Sequence, residues 1–126
     1  MKYYECKKCG CVFELVRCGD FDKCYCGESL KPLNENAVEA SHEKHIPIAE
    51  VDGDTVRVRV AEVAHPMSAD HYIGWVAITT DGGTQRRPLY PDSEPVATFV
   101  LQSGERLRDV YAYCNKHGLW SKKYNQ

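Results

Sequence analysis

At 126 residues, with 43% hydrophobic and 27% charged side chains, the chain can build one packed domain plus a small appendage, and wholesale disorder is excluded. A formal net charge of −2 excludes a nucleic-acid binder held by bulk positive charge. No apolar run reaches the ~18–20 residues of a membrane-spanning helix, and residues 1–6 carry no apolar stretch of the secretory kind, so the expected setting is cytoplasmic, away from membranes.

The first predicted element is a cysteine-rich unit over residues 1–33. Six of the seven cysteines lie there, Cys6, Cys9, Cys11, Cys18, Cys24 and Cys26, and the seventh is Cys114. An odd number cannot pair completely as disulfides, and thiols clustered this way in a reducing compartment point to metal ligation. A unit this short cannot fold on a hydrophobic core alone, so a metal staple is expected. The spacing Cys6-Lys7-Lys8-Cys9 is that of half a metal knuckle. Residues 34–45 are predicted to be a linker, because 34–41 is polar and reads as a connecting stretch or a short helical turn.

Residues 46–126 read as β. In 54–62, Val56, Val58 and Val60 alternate with Arg57 and Arg59, the period of a half-buried strand. Residues 72–80 and 95–101 are rich in aromatic and β-branched side chains, and 106–114 alternates again. Weaker strand candidates are 46–51 and 85–90, where Pro88 predicts an edge position. Turn signals fall at Asp52-Gly53, Asp81-Gly82-Gly83 and Ser103-Gly104. Five to seven strands joined by short turns, with no long helix, predict an antiparallel β-sandwich.

The chemistry-bearing side chains sit at the ends of these strands and in their loops. His45 follows Glu43 and Lys44, His65 and His71 bracket a loop, and Cys114 and His117 bracket a turn. The Cys-x-x-His spacing lets one turn bring both side chains to one ion, and Pro66 holds His65 extended. Imidazole and thiolate donors together suit iron, copper or zinc rather than magnesium or calcium. His42 fits no such pair and reads as a solvated linker histidine.

Three segments carry a resemblance. Glu43-Lys44-His45-Ile46-Pro47, His65-Pro66-Met67 with His71-Tyr72-Ile73 and Trp75, and Tyr113-Cys114-Asn115-x-His117-Gly118-Leu119-Trp120 resemble the active-site segments of superoxide reductases. With its cysteine-bearing N-terminus the chain resembles the two-domain members, the desulfoferrodoxins, over nearly its whole length. The resemblance implies a rubredoxin- or desulforedoxin-like knuckle followed by an immunoglobulin-like sandwich. It implies a mononuclear iron held by His45, His65, His71 and His117 with Cys114 as axial thiolate, the sixth position being open in the ferrous state. Superoxide would be reduced to hydrogen peroxide without release of dioxygen. Glu43 would ligate the ferric iron after turnover, and Lys44 would attract the anion and help deliver a proton through water. A small electron donor such as rubredoxin and a homodimer are implied as well.

The N-terminal cysteines depart from that family pattern. An adjacent Cys-Cys pair followed by Gly-Glu is replaced by Cys24-Tyr25-Cys26-Gly27-Glu28. Cys6, Cys9, Cys24 and Cys26 are the expected set for a second iron; Cys18 or Cys11 as substitute ligand, zinc in place of iron, and a domain without metal stay open. A non-haem iron oxygenase would call for two histidines and a carboxylate, which the fourth histidine and the thiolate oppose. The alternative outside catalysis is an iron- or zinc-binding electron-transfer or binding module.

Overall fold

A computed structural model of the chain describes residues 2–17, 26–38 and 40–126. Cys18 and Cys24, both named above as candidate ligands, lie outside the described residues. The chain divides into two compact units, Met1–Asn34 and Glu35–Gln126. Among the described residues no helix is long and apolar enough to cross a membrane.

In the first unit, β1 (Tyr3–Glu5) lies between β2 (Val12–Glu14) and β3 (Lys31–Pro32), antiparallel to both. Two strands of three residues and one of two can bury little: Tyr3 and Cys6 are its only buried apolar side chains among the described residues. The turn after β1 is held by backbone bonds from Gly10 N–H to Cys6 O (2.9 Å) and from Cys6 N–H to Cys11 O (2.9 Å). Gly10 takes φ = 77°, a value that side-chain-bearing residues rarely adopt.

The second unit opens with a single helical turn, α1 (His42–His45), and continues through β4 (Pro47–Asp52), β5 (Thr55–Val60), β6 (Ile73–Thr80), β7 (Thr84–Pro88), β8 (Val96–Val100), β9 (Leu107–Cys114) and β10 (Gly118–Lys123). One sheet has the order β10-β9-β6-β7 and the other β4-β5-β8, with every pairing antiparallel. The alternation in β5 does what its spacing predicts: Val56, Val58 and Val60 are fully buried and Arg57 is exposed. These valines meet Phe99 of β8, Ile73, Val76 and Ile78 of β6, and Leu107 and Val110 of β9 in one core. β7, with Pro88, is an edge strand, so the proline removes no ladder bond from a sheet interior.

β10 is a strand that sequence reasoning did not pick out. Its polar end, Ser121-Lys122-Lys123, hides the pattern, and pairing to β9 from Gly118↔Cys114 to Lys123↔Asp109 holds it. Asn36, in the stretch expected to be a linker, covers the free edge of β10. Its N–H donates to Leu119 O (2.8 Å), and its carboxamide both accepts from Ser121 N–H (2.9 Å) and donates to Ser121 O (3.3 Å).

The registers decide where function can sit. Pro47 pairs with Val60, Ile73 with Cys114 and Cys114 with Gly118. The start of β4, the end of β5, the start of β6, the end of β9 and the start of β10 therefore share one end of the sandwich. Stability resides in the layer beneath. Phe99→Ala, at a fully buried core position, is expected to cost about 3–5 kcal/mol in urea unfolding, whereas Tyr90→Ala, at a residue 67% exposed, stays within about 0.5 kcal/mol.

Candidate metal centre

Each loop at that end delivers a donor. α1 places His45 immediately before β4, the β5–β6 connection carries His65 and His71, β9 ends on Cys114, and the turn into β10 carries His117. Donor atoms of His45, His65, His71 and Cys114 all lie within 4.8 Å of one another. His117 Nδ1 joins them, 3.0 Å from His45 Nε2 and 4.0 Å from Cys114 Sγ. The structure thus brings together all five side chains named from the sequence for this centre.

Backbone carbonyls choose the tautomers. His45 Nδ1 lies 2.6 Å from Ser41 O and His65 Nδ1 lies 2.6 Å from Pro66 O. A carbonyl can only accept, so both Nδ1 atoms carry hydrogen. Burial lowers the pKa of His45, His65 and His71, that of His65 to about 4, so these rings are neutral near pH 7. In His45 and His65 the Nε2 atoms then present bare lone pairs. The two face each other at 3.2 Å with no proton to share. His71 Nε2 is buried and has no hydrogen-bond partner among the described residues. Inward lone pairs with nothing between them are the pattern that a cation relieves.

Cys114 completes the set. It is fully buried, and burial pushes its thiol pKa up, against backbone N–H groups of His117 and Lys116 that favour the thiolate. The His117 N–H lies 3.4 Å from the sulfur. A thiolate in this place needs a positive partner, which a metal ion supplies. Nitrogen and sulfur donors fit a borderline transition metal such as iron.

Trp120, fully buried beneath the cluster, stacks on the His45 ring at 4.7 Å and donates its indole N–H to His117 O at 3.1 Å. Sequence reasoning gave it no role; its indole following the Cys-x-x-His turn was the available signal. His42 is exposed and meets the Trp120 edge at 5.3 Å, outside the donor cluster. Glu43 and Lys44 are exposed on α1, beside the His45 they precede.

The first unit holds a second cluster. Cys6, Cys9 and Cys26 place their sulfurs within 4.8 Å of one another, with Cys6 buried and the other two exposed. The backbone N–H of Cys9 and the neighbouring thiols hold the Cys6 thiol down at about 7, so it yields its proton readily to a metal. Cys11 is not in this cluster.

An antiparallel sandwich bearing four imidazoles and a thiol at one end, joined to a cysteine knuckle, defines a small β-class metalloprotein with two candidate centres. The chain belongs to the desulfoferrodoxin family, whose model, Desulfoferrodoxin, matches residues 37–123. Among its relatives, the desulfoferrodoxin of Syntrophotalea carbinolica is 39% identical, over 98% of this chain and 96% of its own. The crystal structure of the superoxide reductase from Treponema pallidum superposes with a TM-score of 0.80 at 36% identity, covering 97% of this chain and 98% of that one. A superoxide reductase from Giardia intestinalis, described as 1Fe-SOR, matches with a TM-score of 0.58 at 34% identity, covering 67% of this chain and 99% of its own.

Removing one inward donor should be felt at once. His71→Ala is expected to lower the affinity of the metal-free protein for cobalt(II) at the His/Cys centre by tenfold or more, because no neighbour can replace Nε2, while His42→Ala leaves it unchanged. Calorimetric titration of both variants measures this, and equal losses would refute the ligand assignment.

Proposed function

We propose that the chain is a superoxide reductase, catalysing superoxide plus one electron plus two protons to hydrogen peroxide, with no dioxygen formed. The observation that carries this reading is the convergence of four imidazole nitrogens on the Cys114 sulfur at the sandwich end. The superoxide reductases among the similar structures support it. In this reading His45, His65, His71, His117 and Cys114 hold iron, and Cys6, Cys9 and Cys26, with Cys24 as the expected fourth ligand, hold a second iron or zinc ion. Bound at the first site, iron supplies the single electron and a place for the anion.

The remaining work belongs to side chains. Burial keeps His45 and His65 neutral, and the Nδ1–H bonds to Ser41 O and Pro66 O keep them oriented. The buried Cys114 sulfur, once deprotonated, donates electron density and favours the oxidised product state. Lys44, exposed on the turn that carries His45, draws the anion in and can pass it a proton through water. Glu43, on the same turn, would supply a carboxylate ligand to the iron in its ferric state. Exposed Cys9 and Cys26 give a small electron donor such as rubredoxin a route of approach. A homodimer in the cytoplasm, where these thiols stay reduced, completes the proposal.

Two measurements test it. The reduced, iron-loaded protein should consume superoxide and yield hydrogen peroxide without dioxygen; no reaction would leave the electron-transfer or binding module as the better reading. By pulse radiolysis, Lys44→Ala should lower the second-order rate by about tenfold at low salt. The gap should narrow once the screening length falls to about 10 Å near 0.1 M salt. Glu43→Ala should leave that rate nearly unchanged and alter the ferric spectrum. A wild-type rate for Lys44→Ala at low salt would remove the lysine from the mechanism.

A further inference from the structure

The inward rings differ in how they are held. His45 and His65 each have Nδ1 fixed on a backbone carbonyl at 2.6 Å. His117 sits in the turn whose carbonyl accepts the Trp120 indole N–H. His71 has no such anchor among the described residues, yet its Nε2 is the buried nitrogen left without a partner. Its backbone sets the direction in which the ring leaves the chain, and edge-to-face contacts with His65 (4.7 Å) and His117 (5.1 Å) meet it there.

That backbone is tied on both sides. The peptide group before His71 comprises Asp70 O and His71 N–H; the one after it comprises His71 O and Tyr72 N–H. Ser68 bonds to both: His71 N–H donates to Ser68 O (3.2 Å), and Ser68 donates to His71 O from its N–H (3.0 Å) and its hydroxyl (3.2 Å). The Asn115 carboxamide takes the other two: Nδ2 donates to Asp70 O (3.0 Å) and Oδ1 accepts from Tyr72 N–H (2.9 Å). These partners fix which amide atom is which, since Tyr72 N–H must donate and Asp70 O must accept. Asn115 is itself anchored by its own N–H to Tyr72 O (3.1 Å).

The register explains why a side chain is needed. The β6–β9 ladder ends at Ile73↔Cys114, because the chain after Cys114 turns away into β10. The next rung is completed by the Asn115 carboxamide in place of a strand carbonyl. Asn115 is exposed, so core packing does not account for its fixed position.

We propose that Asn115 is a positioning residue for His71: one carboxamide, bonded to both peptide groups that flank His71, sets its φ and ψ and so aims Nε2 at the site shared with Cys114. It does for this ring what the Ser41 and Pro66 carbonyls do for His45 and His65. The proposal rests on the reading that His71 is a metal ligand.

A double-mutant cycle on the full chain tests it, with cobalt(II) as the probe metal and its thiolate charge-transfer band as the readout. Asn115→Ala should fold, as near-ultraviolet circular dichroism of the metal-free protein would show, while losing about 10- to 100-fold in cobalt affinity and shifting the band. Asn115→Asp keeps the acceptor for Tyr72 N–H and loses the donor to Asp70 O, so it should fall between wild type and Asn115→Ala; it also serves if the alanine variant does not fold. In a His71→Ala background the Asn115 substitution should add nothing. If His71→Ala alone leaves affinity intact, the ligand reading fails. If His71→Ala weakens binding but the Asn115 effect is absent, or persists undiminished in the His71→Ala background, the positioning role is overturned and the ligand reading stands.

Discussion

Two backbone carbonyls impose the constraint on which the site depends. Ser41 O and Pro66 O each hold an Nδ1–H, and each thereby turns a bare Nε2 into the buried end of the sandwich. His117 Nδ1, 3.0 Å away, can donate a proton to His45 Nε2, but this leaves His65 Nε2, which faces His45 Nε2 at 3.2 Å, and the unpartnered His71 Nε2 without a donor among the described residues. Unsatisfied buried polar groups cost about 1–3 kcal/mol each, so the protein without a metal carries a local penalty that a borderline cation removes. Folding of the sandwich and demand for the ion are therefore linked through the same few atoms.

The rest of the second unit makes that arrangement affordable. Valines of β5, Phe99 and the β6 and β9 side chains form a core that continues directly to Cys114, so the sulfur sits on a rigid strand end rather than in a mobile loop. The Cys114–Gly118 pairing fixes the turn that returns His117 to the same place, and Gly118 takes φ = 78° to make it. Charge is kept outside: Glu43 and Lys44 stand exposed on α1.

Much of this was legible in the sequence, for definite reasons. Period-two alternation exposed β5, turn residues marked the hairpins, and histidines and cysteines beside those turns pointed to the donors. What stayed hidden has physical causes too. Ser41 O and Pro66 O act through the main chain, which leaves no residue-type signature. β10 carries a polar end that masks its pattern. The contacts of Asn115 and Trp120 depend on register and stacking, which spacing alone does not reveal. In the first unit, Cys6, Cys9 and Cys26 come together as their spacing suggests, and Cys24 lies outside the described residues.

The central claim, that a buried thiolate and four imidazoles share one iron, is tested most directly by the visible spectrum of the oxidised, iron-loaded protein. The account predicts a thiolate-to-ferric charge-transfer band that disappears in Cys114→Ser while any absorption from the N-terminal centre persists. A band unchanged in Cys114→Ser would contradict it.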